Sequence, residues 1–170
     1  MESLDGRLKR LGMEQHNLSL QEKVALLEKS KLGTGMRSEE LQILAGYCTS
    51  WLATVDTVLF HQGDDSDFLC LVCKGRVAVV RDDRLHAPKE IATIVPGQTV
   101  GEMAIIDREP RSATVVARTP VQLLLLDEKS FDLMAEEVPR LWGKTLLRLA
   151  RTLSKRLRQT SGVLAEYLDV

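Results

Sequence analysis

The segment from Gly101 to Thr114 restricts the possible folds of this chain more than any other part of the sequence. It reads GEMAIIDREPRSAT and carries an acidic residue, Glu102, near its start and a basic residue, Arg111, directly after a proline. The first amides of a helical turn have no internal hydrogen-bond partner and carry partial positive charge. A turn that begins at Gly101 can therefore present N–H groups to an anion, and the segment predicts an anion-binding loop.

The charged residues of this segment suit one kind of anion. Arg111 offers a planar fork of donors that matches phosphate oxygens, and Ser112 offers a hydroxyl beside it. Glu102 would repel a phosphate, so in a phosphate site it is better suited to accept hydrogen bonds from sugar hydroxyls. One glutamate and one arginine held apart indicate a ribose that carries a phosphate. The alternative for Arg111 is a role as internal partner of Glu102 or Asp107.

These residues resemble the phosphate-binding cassette of the cyclic nucleotide-binding domain, the module of catabolite activator protein and of protein kinase A regulatory subunits. The matching positions are Gly101, Glu102, Met103, Ala104, Pro110, Arg111, Ser112, Ala113 and Thr114. The resemblance extends to VLFHQGD, LVCKGRVAVV and IATIVPGQTVGE and covers roughly residues 35–160. A cassette of this length is a specific signal, unlike a short glycine motif.

The resemblance implies a role for the matching residues. Arg111 pairs with the cyclic phosphate, and Glu102 accepts a hydrogen bond from the ribose 2′-hydroxyl. Three backbone amides complete the cradle, those of Ala104, Ser112 and Ala113. The implied ligand is a cyclic nucleotide, and no cofactor is expected.

The resemblance also implies a contact to the base. Spacing from the family landmarks Phe131 and Pro139 puts it near Arg156, whose guanidinium can stack on a purine. The activator protein presents a hydroxyl there, so base selectivity is open. Ser112, in place of the threonine that the family associates with guanine, favours cAMP over cGMP. The predicted ligand-binding residues are Gly101, Glu102, Met103, Ala104, Arg111, Ser112, Ala113 and Arg156.

Short β-rich runs alternate with turn residues between Ala53 and Leu126, which indicates a roll or a sandwich. With the resemblance, this predicts an α+β, mainly β fold: a double-stranded β-helix, or jelly-roll-like β-roll, flanked by N-terminal helices and a long C-terminal helix. The predicted strands are 57–61, 68–74, 76–82, 90–95, 113–117 and 121–127, with a loop at 83–88. The predicted divisions are a helical segment 1–35, a binding domain 36–160 with its roll at about 53–127 and C-terminal helices at about 130–160, and a tail 161–170.

Helical signals precede the roll. Ser19 and Glu22 have the spacing of a capping box, and Ser38 begins a second helix. This second helix is predicted to carry Leu41, Leu44, Ala45 and Trp51 at helical spacing.

The predicted helix after the roll is amphipathic and basic. Ser130 is expected to cap a short helix, and Pro139 to sit in the first turn of the long one. The long helix has an apolar stripe made of Trp142, Leu146, Leu149, Leu153 and Leu157. Its basic residues indicate either a solvated face or a contact with nucleic acid or an acidic partner, and the lack of interleaved aromatic residues favours the first. The stripe suits pairing with a second copy, so a homodimer is predicted.

Composition indicates a single domain, since the chain has 170 residues and 44% hydrophobic content. The net charge of −1 indicates no overall attraction to nucleic acid or acidic membranes. No stretch has the length of a membrane span, the first residues lack the apolar core of a signal peptide, and three cysteines fit a reducing compartment. We therefore expect a cytoplasmic location.

After the long helix only SGVLAEYLDV follows, so no DNA-binding domain is expected.

No catalytic or metal-binding cluster is predicted. Cys70 and Cys73 lie three apart in a predicted strand, where their side chains point to opposite faces. The histidines are scattered without carboxylate or cysteine partners: His16, His61 and His86. We expect a binding protein and not an enzyme.

Three hypotheses for function follow. The leading one is a regulatory domain that binds cAMP, with cGMP as the alternative ligand, and signals through movement of its C-terminal helix to an unidentified downstream partner. The second is an interaction or structural module of the same fold, with another anionic ligand or none. The third is a cyclic nucleotide hydrolase, which is disfavoured because the sequence offers no metal-binding carboxylate cluster.

Overall fold

The computed structural model describes residues 3–65, 67–83 and 86–168. Its helices are α1 (Leu4–Arg10), α2 (Leu20–Glu28), α3 (Ser38–Gly46), α4 (Glu102–Asp107), α5 (Glu128–Glu137) and α6 (Pro139–Leu168). Its strands are β1 (Met13–Gln15), β2 (Thr49–Ala53), β3 (Val58–Phe60), β4 (Phe68–Lys74), β5 (Val77–Asp83), β6 (His86–Ile94), β7 (Thr99–Val100), β8 (Thr114–Ala117) and β9 (Val121–Asp127).

The strands form two antiparallel sheets that enclose the core of a roll. One sheet has the order β1-β2-β9-β4-β7, and the other has the order β3-β8-β5-β6. Because side chains alternate between the faces of a strand, one face of each sheet supplies a shared inner core. That core includes Trp51, Leu59, Phe68, Val77, Val115 and Leu123. The opposite face of the five-stranded sheet packs on the helices through Leu69, Leu71, Leu124 and Leu126.

The predicted fold class is confirmed: the molecule is a mainly antiparallel β-roll with helices at both ends and a long C-terminal helix. All six predicted strands are present. The largest shift is at β6, which begins at residue 86 and not at 90. Of the predicted loop 83–88, residues 84 and 85 lie outside the described part of the chain. The capping box of α2 is also confirmed, since the Ser19 hydroxyl and the Glu22 carboxylate each accept a hydrogen bond from the other's backbone N–H.

The prediction that Trp51 lies on the second helix is wrong. Helix α3 ends at Gly46, and Trp51 is in the middle of β2, where it is fully buried in the inner core. Its spacing from Leu41 and Leu44 matches a helical repeat by coincidence. Burial between neighbouring strands overrides the local pattern at this position.

The start of α5 and the end of α6 also differ from prediction. Asp127, and not Ser130, is the N-cap of α5, and its carboxylate accepts a hydrogen bond from the Ser130 amide at 2.7 Å. Aspartate and serine are comparable N-caps, so the sequence alone did not separate them. Helix α6 continues past residue 160 through 161–168, while residues 169–170 lie outside the described part.

The first residues join the roll and do not form a purely helical segment. Strand β1, which falls within the predicted segment 1–35, pairs with β2 at the edge of the five-stranded sheet. Leu8 of α1 and Met13 of β1 are buried in the inner core. This segment therefore closes one end of the roll.

Gly75 supplies the tight connection between β4 and β5. Its φ angle is 76°, a conformation that glycine adopts without steric cost. A Cβ atom there would lie 2.2 Å from the Pro120 carbonyl oxygen, so a side chain would also collide with the neighbouring loop. The sequence Lys74-Gly75 predicts a hairpin turn, and that prediction is wrong, because β4 and β5 lie in different sheets and Gly75 carries the chain from one sheet to the other.

Helix α6 has a packed first half and an exposed second half. Leu141, Thr145 and Leu149 are buried, whereas Leu157 and Val163 are 68% and 53% exposed. The second half passes beside the segment that follows β7 and can therefore contact the predicted site. Within residues 3–65, 67–83 and 86–168, no helix combines the length and apolar character needed to cross a membrane.

Candidate functional site

The predicted cassette forms a turn between two strands of the roll. Gly101, with a φ of 82°, links β7 to the short helix α4, and the chain then returns through Arg111 to β8. A Cβ atom on Gly101 would lie 2.4 Å from Nη1 of Arg111. Glycine is therefore required both by the backbone conformation and by the arginine packed against it.

Arg111 is almost completely buried, with 3% of its surface exposed. Nη2 donates to the Phe68 carbonyl oxygen at 2.7 Å, and Nη1 donates to that of Gly101 at 3.1 Å. The guanidinium carbon lies 3.8 Å from the ring centroid of Phe60 and 4.6 Å from that of Phe68. These rings and carbonyls fix the guanidinium beneath the turn.

The charge of Arg111 has no direct counter-ion in the described part of the chain. No ion pair there joins it to Glu102 or Asp107, the internal partners considered as its alternative role. Its Nε is buried and has no hydrogen-bond partner among the described residues. Burial lowers the pKa of Arg111 to about 10, so it remains protonated at neutral pH.

Glu102, at the start of α4, is the buried acidic group of the site, with 1% of its surface exposed. Its Oε1 accepts a hydrogen bond from Nη1 of Arg156 on α6. Its Oε2 is buried without a partner among the residues that the structure describes. Burial raises the pKa of Glu102, and the nearby Arg156 opposes this shift.

Arg156 connects the second half of α6 to the site. Besides its ion pair with Glu102, its Nη2 donates to the Thr99 carbonyl oxygen at 2.5 Å. One third of its side chain, 34%, remains exposed. The sequence predicted Arg156 near the site, but the pairing with Glu102 was missed because 54 residues separate the two along the chain.

The other predicted residues surround this centre. Ala104 and Ala113 are buried, whereas Ser112 is exposed. The Ser112 hydroxyl donates to the sulfur of Met103 at 3.8 Å, and Met103 is 46% exposed. The structure thus brings the predicted cassette and Arg156 together at one place. Phe60 and Phe68, which hold Arg111, were not singled out, since core aromatic residues carry no distinguishing sequence signal.

The cysteines do not form a site. Cys48 and Cys70 are buried and Cys73 is partly buried, all as free thiols. Burial raises the pKa of Cys70 to about 12, so this thiol stays protonated at neutral pH. The described residues contain no group of three or more His, Cys, Asp or Glu side chains that could hold a metal ion.

Glutamine in place of Glu102 is expected to stabilise the protein without added ligand. Because the pKa of Glu102 is raised in the folded state, the folded protein holds its proton more tightly than the unfolded chain. The stability of the parent protein therefore falls as the pH rises from the pKa of Glu102 in the unfolded chain through its raised pKa in the folded protein. Glutamine does not ionise, so the Glu102→Gln variant does not lose this stability. At pH 7 we expect the unfolding midpoint of the variant to be higher than that of the parent protein by roughly 2–4 °C, which corresponds to about 1 kcal/mol. At a pH below the unfolded-state pKa of Glu102, we expect the two midpoints to be equal.

Glu40 provides a control of opposite sign. Its carboxylate accepts hydrogen bonds from Lys144 and from the Arg37 amide, which lower its pKa. Glu40→Gln should therefore lower the midpoint at pH 7, and the difference should shrink as the pH falls. Thermal unfolding of the three proteins at several pH values is the measurement. A lower midpoint for Glu102→Gln at pH 7 would contradict the expected penalty of the buried carboxylate.

Comparisons with known proteins agree with this geometry. A family model described as "Cyclic nucleotide-binding domain" matches residues 54–137. The "Cyclic AMP receptor protein" of Thermus thermophilus is 29% identical over 133 residues, which make up 78% of this chain and 60% of that protein. The "Acetyltransferase Pat" of Mycolicibacterium smegmatis is 36% identical over 122 residues, or 69% of this chain and 34% of that protein. The chain thus spans only part of the length of these relatives.

A solved structure extends the similarity to the whole fold. The crystal structure of a cyclic nucleotide-binding domain from Methylobacillus flagellatus superposes with a TM-score of 0.81 at 28% identity. The match covers 91% of this chain and 89% of that one. A match of this extent reaches beyond the roll into the flanking helices.

Proposed function

The chain belongs to the cyclic nucleotide-binding domain family through residues 54–137, and we propose that it is a cAMP-binding regulatory domain whose helix α6 responds to the ligand. One observation carries this proposal. Two buried side chains of opposite charge, Glu102 and Arg111, lie in one turn, and each keeps a polar atom that no described residue satisfies. Buried polar groups are ordinarily hydrogen-bonded, so such a pair is suited to a ligand that supplies the missing partners.

A cyclic nucleotide has the groups that these residues require. Its phosphate can take the guanidinium hydrogens of Arg111 that the Phe68 and Gly101 carbonyls leave free. A ribose 2′-hydroxyl can donate to Oε2 of Glu102. In the proposed complex the amides of Ala104, Ser112 and Ala113 complete the phosphate cradle. The name of the Thermus relative and the serine at position 112 both favour cAMP over cGMP.

The proposed signal passes through Arg156. In the structure this residue joins α6 to Glu102 and to the carbonyl of Thr99. A ribose hydroxyl on Oε2 would share the Glu102 carboxylate with Arg156 on Oε1 and weaken that ion pair, so that the guanidinium could move next to the purine. A ligand shifts a conformational equilibrium only if it binds one state better than the other, and the weakened ion pair would provide the difference. The exposed Leu157 lies on the apolar stripe through which α6 would pair with a second copy.

Calorimetric titration with cAMP and cGMP in parallel tests the proposed ligand. We expect saturable heat with cAMP at lower concentration than with cGMP, and recovery of unchanged nucleotide afterwards. Turnover of the nucleotide would identify an enzyme instead. No heat with either nucleotide, in folded and ligand-free protein, would favour an interaction module of the same fold.

Sedimentation with and without cAMP tests the homodimer, and a monomer under both conditions at micromolar concentration would exclude it.

Arg156→Gln is expected to loosen the second half of α6 before any ligand is added. The variant removes the hydrogen bonds from Arg156 to Glu102 and Thr99, so the backbone amides of residues 150–163 should exchange with solvent faster, by about tenfold for each 1.4 kcal/mol lost. Hydrogen–deuterium exchange followed by mass spectrometry measures this. Arg151→Gln, at an exposed position of the same helix, is the matched control. Equal exchange in Arg156→Gln and the parent protein would show that Arg156 does not anchor α6.

A further inference from the structure

A cavity lies away from the cassette, on the face of the five-stranded sheet opposite the inner core. It has a volume of about 520 Å³, within the range of small-molecule sites. Its floor is formed by β1, β2, β9 and β4, and its walls are formed by the segment from His16 to Glu22 and by Pro120. None of its lining residues belongs to the nucleotide site.

The floor is a single row of side chains across four adjacent strands. The strand register pairs Glu14 with Leu52, Leu52 with Gln122, and Gln122 with Lys74. A carboxylate, an apolar side chain, an amide and an ammonium group therefore follow one another across the sheet. With strands about 4.8 Å apart, the two charged ends of the row are separated by roughly 14 Å.

Gln122 occupies a position where glutamine is unusual. It is only 7% exposed, yet its side-chain amide has no hydrogen-bond partner in the described ranges of the chain. The polar atoms of this amide are not among the fully enclosed groups that lack a partner, so they are accessible from the cavity that Gln122 lines. This amide offers both a donor and an acceptor to a molecule in the cavity, which suits a partner amide.

The two ends of the cavity differ in charge. Glu14 lies at one end of the row, and Glu22 lies in the adjoining wall. Hydrogen bonds from the hydroxyl and amide of Ser19 fix the Glu22 carboxylate and lower its pKa, which keeps it ionised at neutral pH. Lys74 is at the opposite end. Leu18 and Leu52 supply apolar surface between the charges.

We propose that this cavity binds a short zwitterion with a central amide, of the size of a di- or tripeptide. The ammonium group lies toward Glu14 and Glu22, the amide pairs with Gln122, and the carboxylate lies toward Lys74. An extended tripeptide spans about 10 Å, which fits between the charged ends of the row once their side chains reach inward.

The test is a nuclear magnetic resonance titration of the full chain with the tripeptide Ala-Leu-Ala, without nucleotide. We expect saturable shifts at the Gln122 side-chain amide and the Leu52 backbone amide, with a dissociation constant in the millimolar range. N-acetylation or C-amidation of the peptide should each weaken binding about tenfold, since each removes one charged contact. Cassette amides should not shift.

Two variants separate binding from folding. Gln122→Leu and Lys74→Gln should each weaken binding at least about tenfold, whereas Gln21→Leu, at an exposed position of α2 outside the cavity, should leave it unchanged. Lys74 is exposed, so its variant is expected to fold even if the core is sensitive at position 122. The proposal is overturned if Ala-Leu-Ala produces no saturable chemical-shift changes. It is also overturned if the affinity does not change when the peptide is N-acetylated or C-amidated and when Lys74 is replaced by glutamine.

Discussion

Leucine in place of Arg111 is expected to weaken cyclic nucleotide binding strongly. The phosphate would enter a buried site without its cationic partner, and truncating one member of a buried charge pair costs about 2–5 kcal/mol. The dissociation constant should rise by roughly 30-fold to several thousand-fold. Calorimetric titration with cAMP measures the change.

Arg111 also supports the fold, so stability has to be measured beside binding. Leucine would leave the carbonyls of Phe68 and Gly101 without the donors they now have. We therefore expect a lower unfolding midpoint, and the titration has to be made well below it. Arg111→Lys keeps the positive charge but loses the planar fork, so it should bind more weakly than the parent protein and better than the leucine variant.

Arg108 is the matched control in the same segment. It is 62% exposed and pairs with Glu128 at 3.0 Å and with Asp132 at 2.9 Å, outside the proposed site. Arg108→Leu should change the affinity for cAMP by less than about threefold, since exposed ion pairs contribute little. If folded Arg111→Leu bound cAMP as well as the parent protein did, Arg111 would not be the phosphate ligand.

The sequence predicts the local part of the site and not its long-range part. Residues Gly101 to Ala113 are contiguous, and the turn geometry follows from their order, so their proximity could be predicted. The pairing of Glu102 with Arg156 depends on how α6 lies on the roll, which is set by packing of Leu141 and Leu149, residues distant from the cassette in sequence. No sequence period encodes that contact.

The strands that were missed are the short ones and the one that looks helical. Strand β7 contains only Thr99 and Val100, too few residues to show alternation, and it is recognisable only from its pairing with β4. Strand β1 has only three residues and follows Gly12 in a polar segment. By contrast, β4 and β9 are longer runs bounded by turn residues, and their limits were predicted correctly.

Trp51 shows how tertiary packing decides a locally ambiguous stretch. Read forward from α3, it continues a helical spacing, but the register of β2 places it opposite Leu123 of β9 and Gln15 of β1. Its indole is fully buried, and Nε1 donates to the Thr49 hydroxyl at 3.0 Å. A large aromatic side chain can bury its whole surface between two sheets, whereas a position beyond the end of α3 offers less burial.

Alanine in place of Trp51 is therefore expected to cost about 3–5 kcal/mol of unfolding free energy, through lost burial and the cavity left in the roll. This is a large part of the total for a domain with a typical stability of about 5–15 kcal/mol. Urea unfolding followed by circular dichroism measures the loss without relying on the altered fluorescence. Trp142, the other tryptophan of the chain, is only partly buried on α6 and contacts Phe131, so Trp142→Ala should cost clearly less. A loss below about 1 kcal/mol for Trp51→Ala, or a larger loss for Trp142→Ala, would mean that the inner core does not depend on β2 in this way.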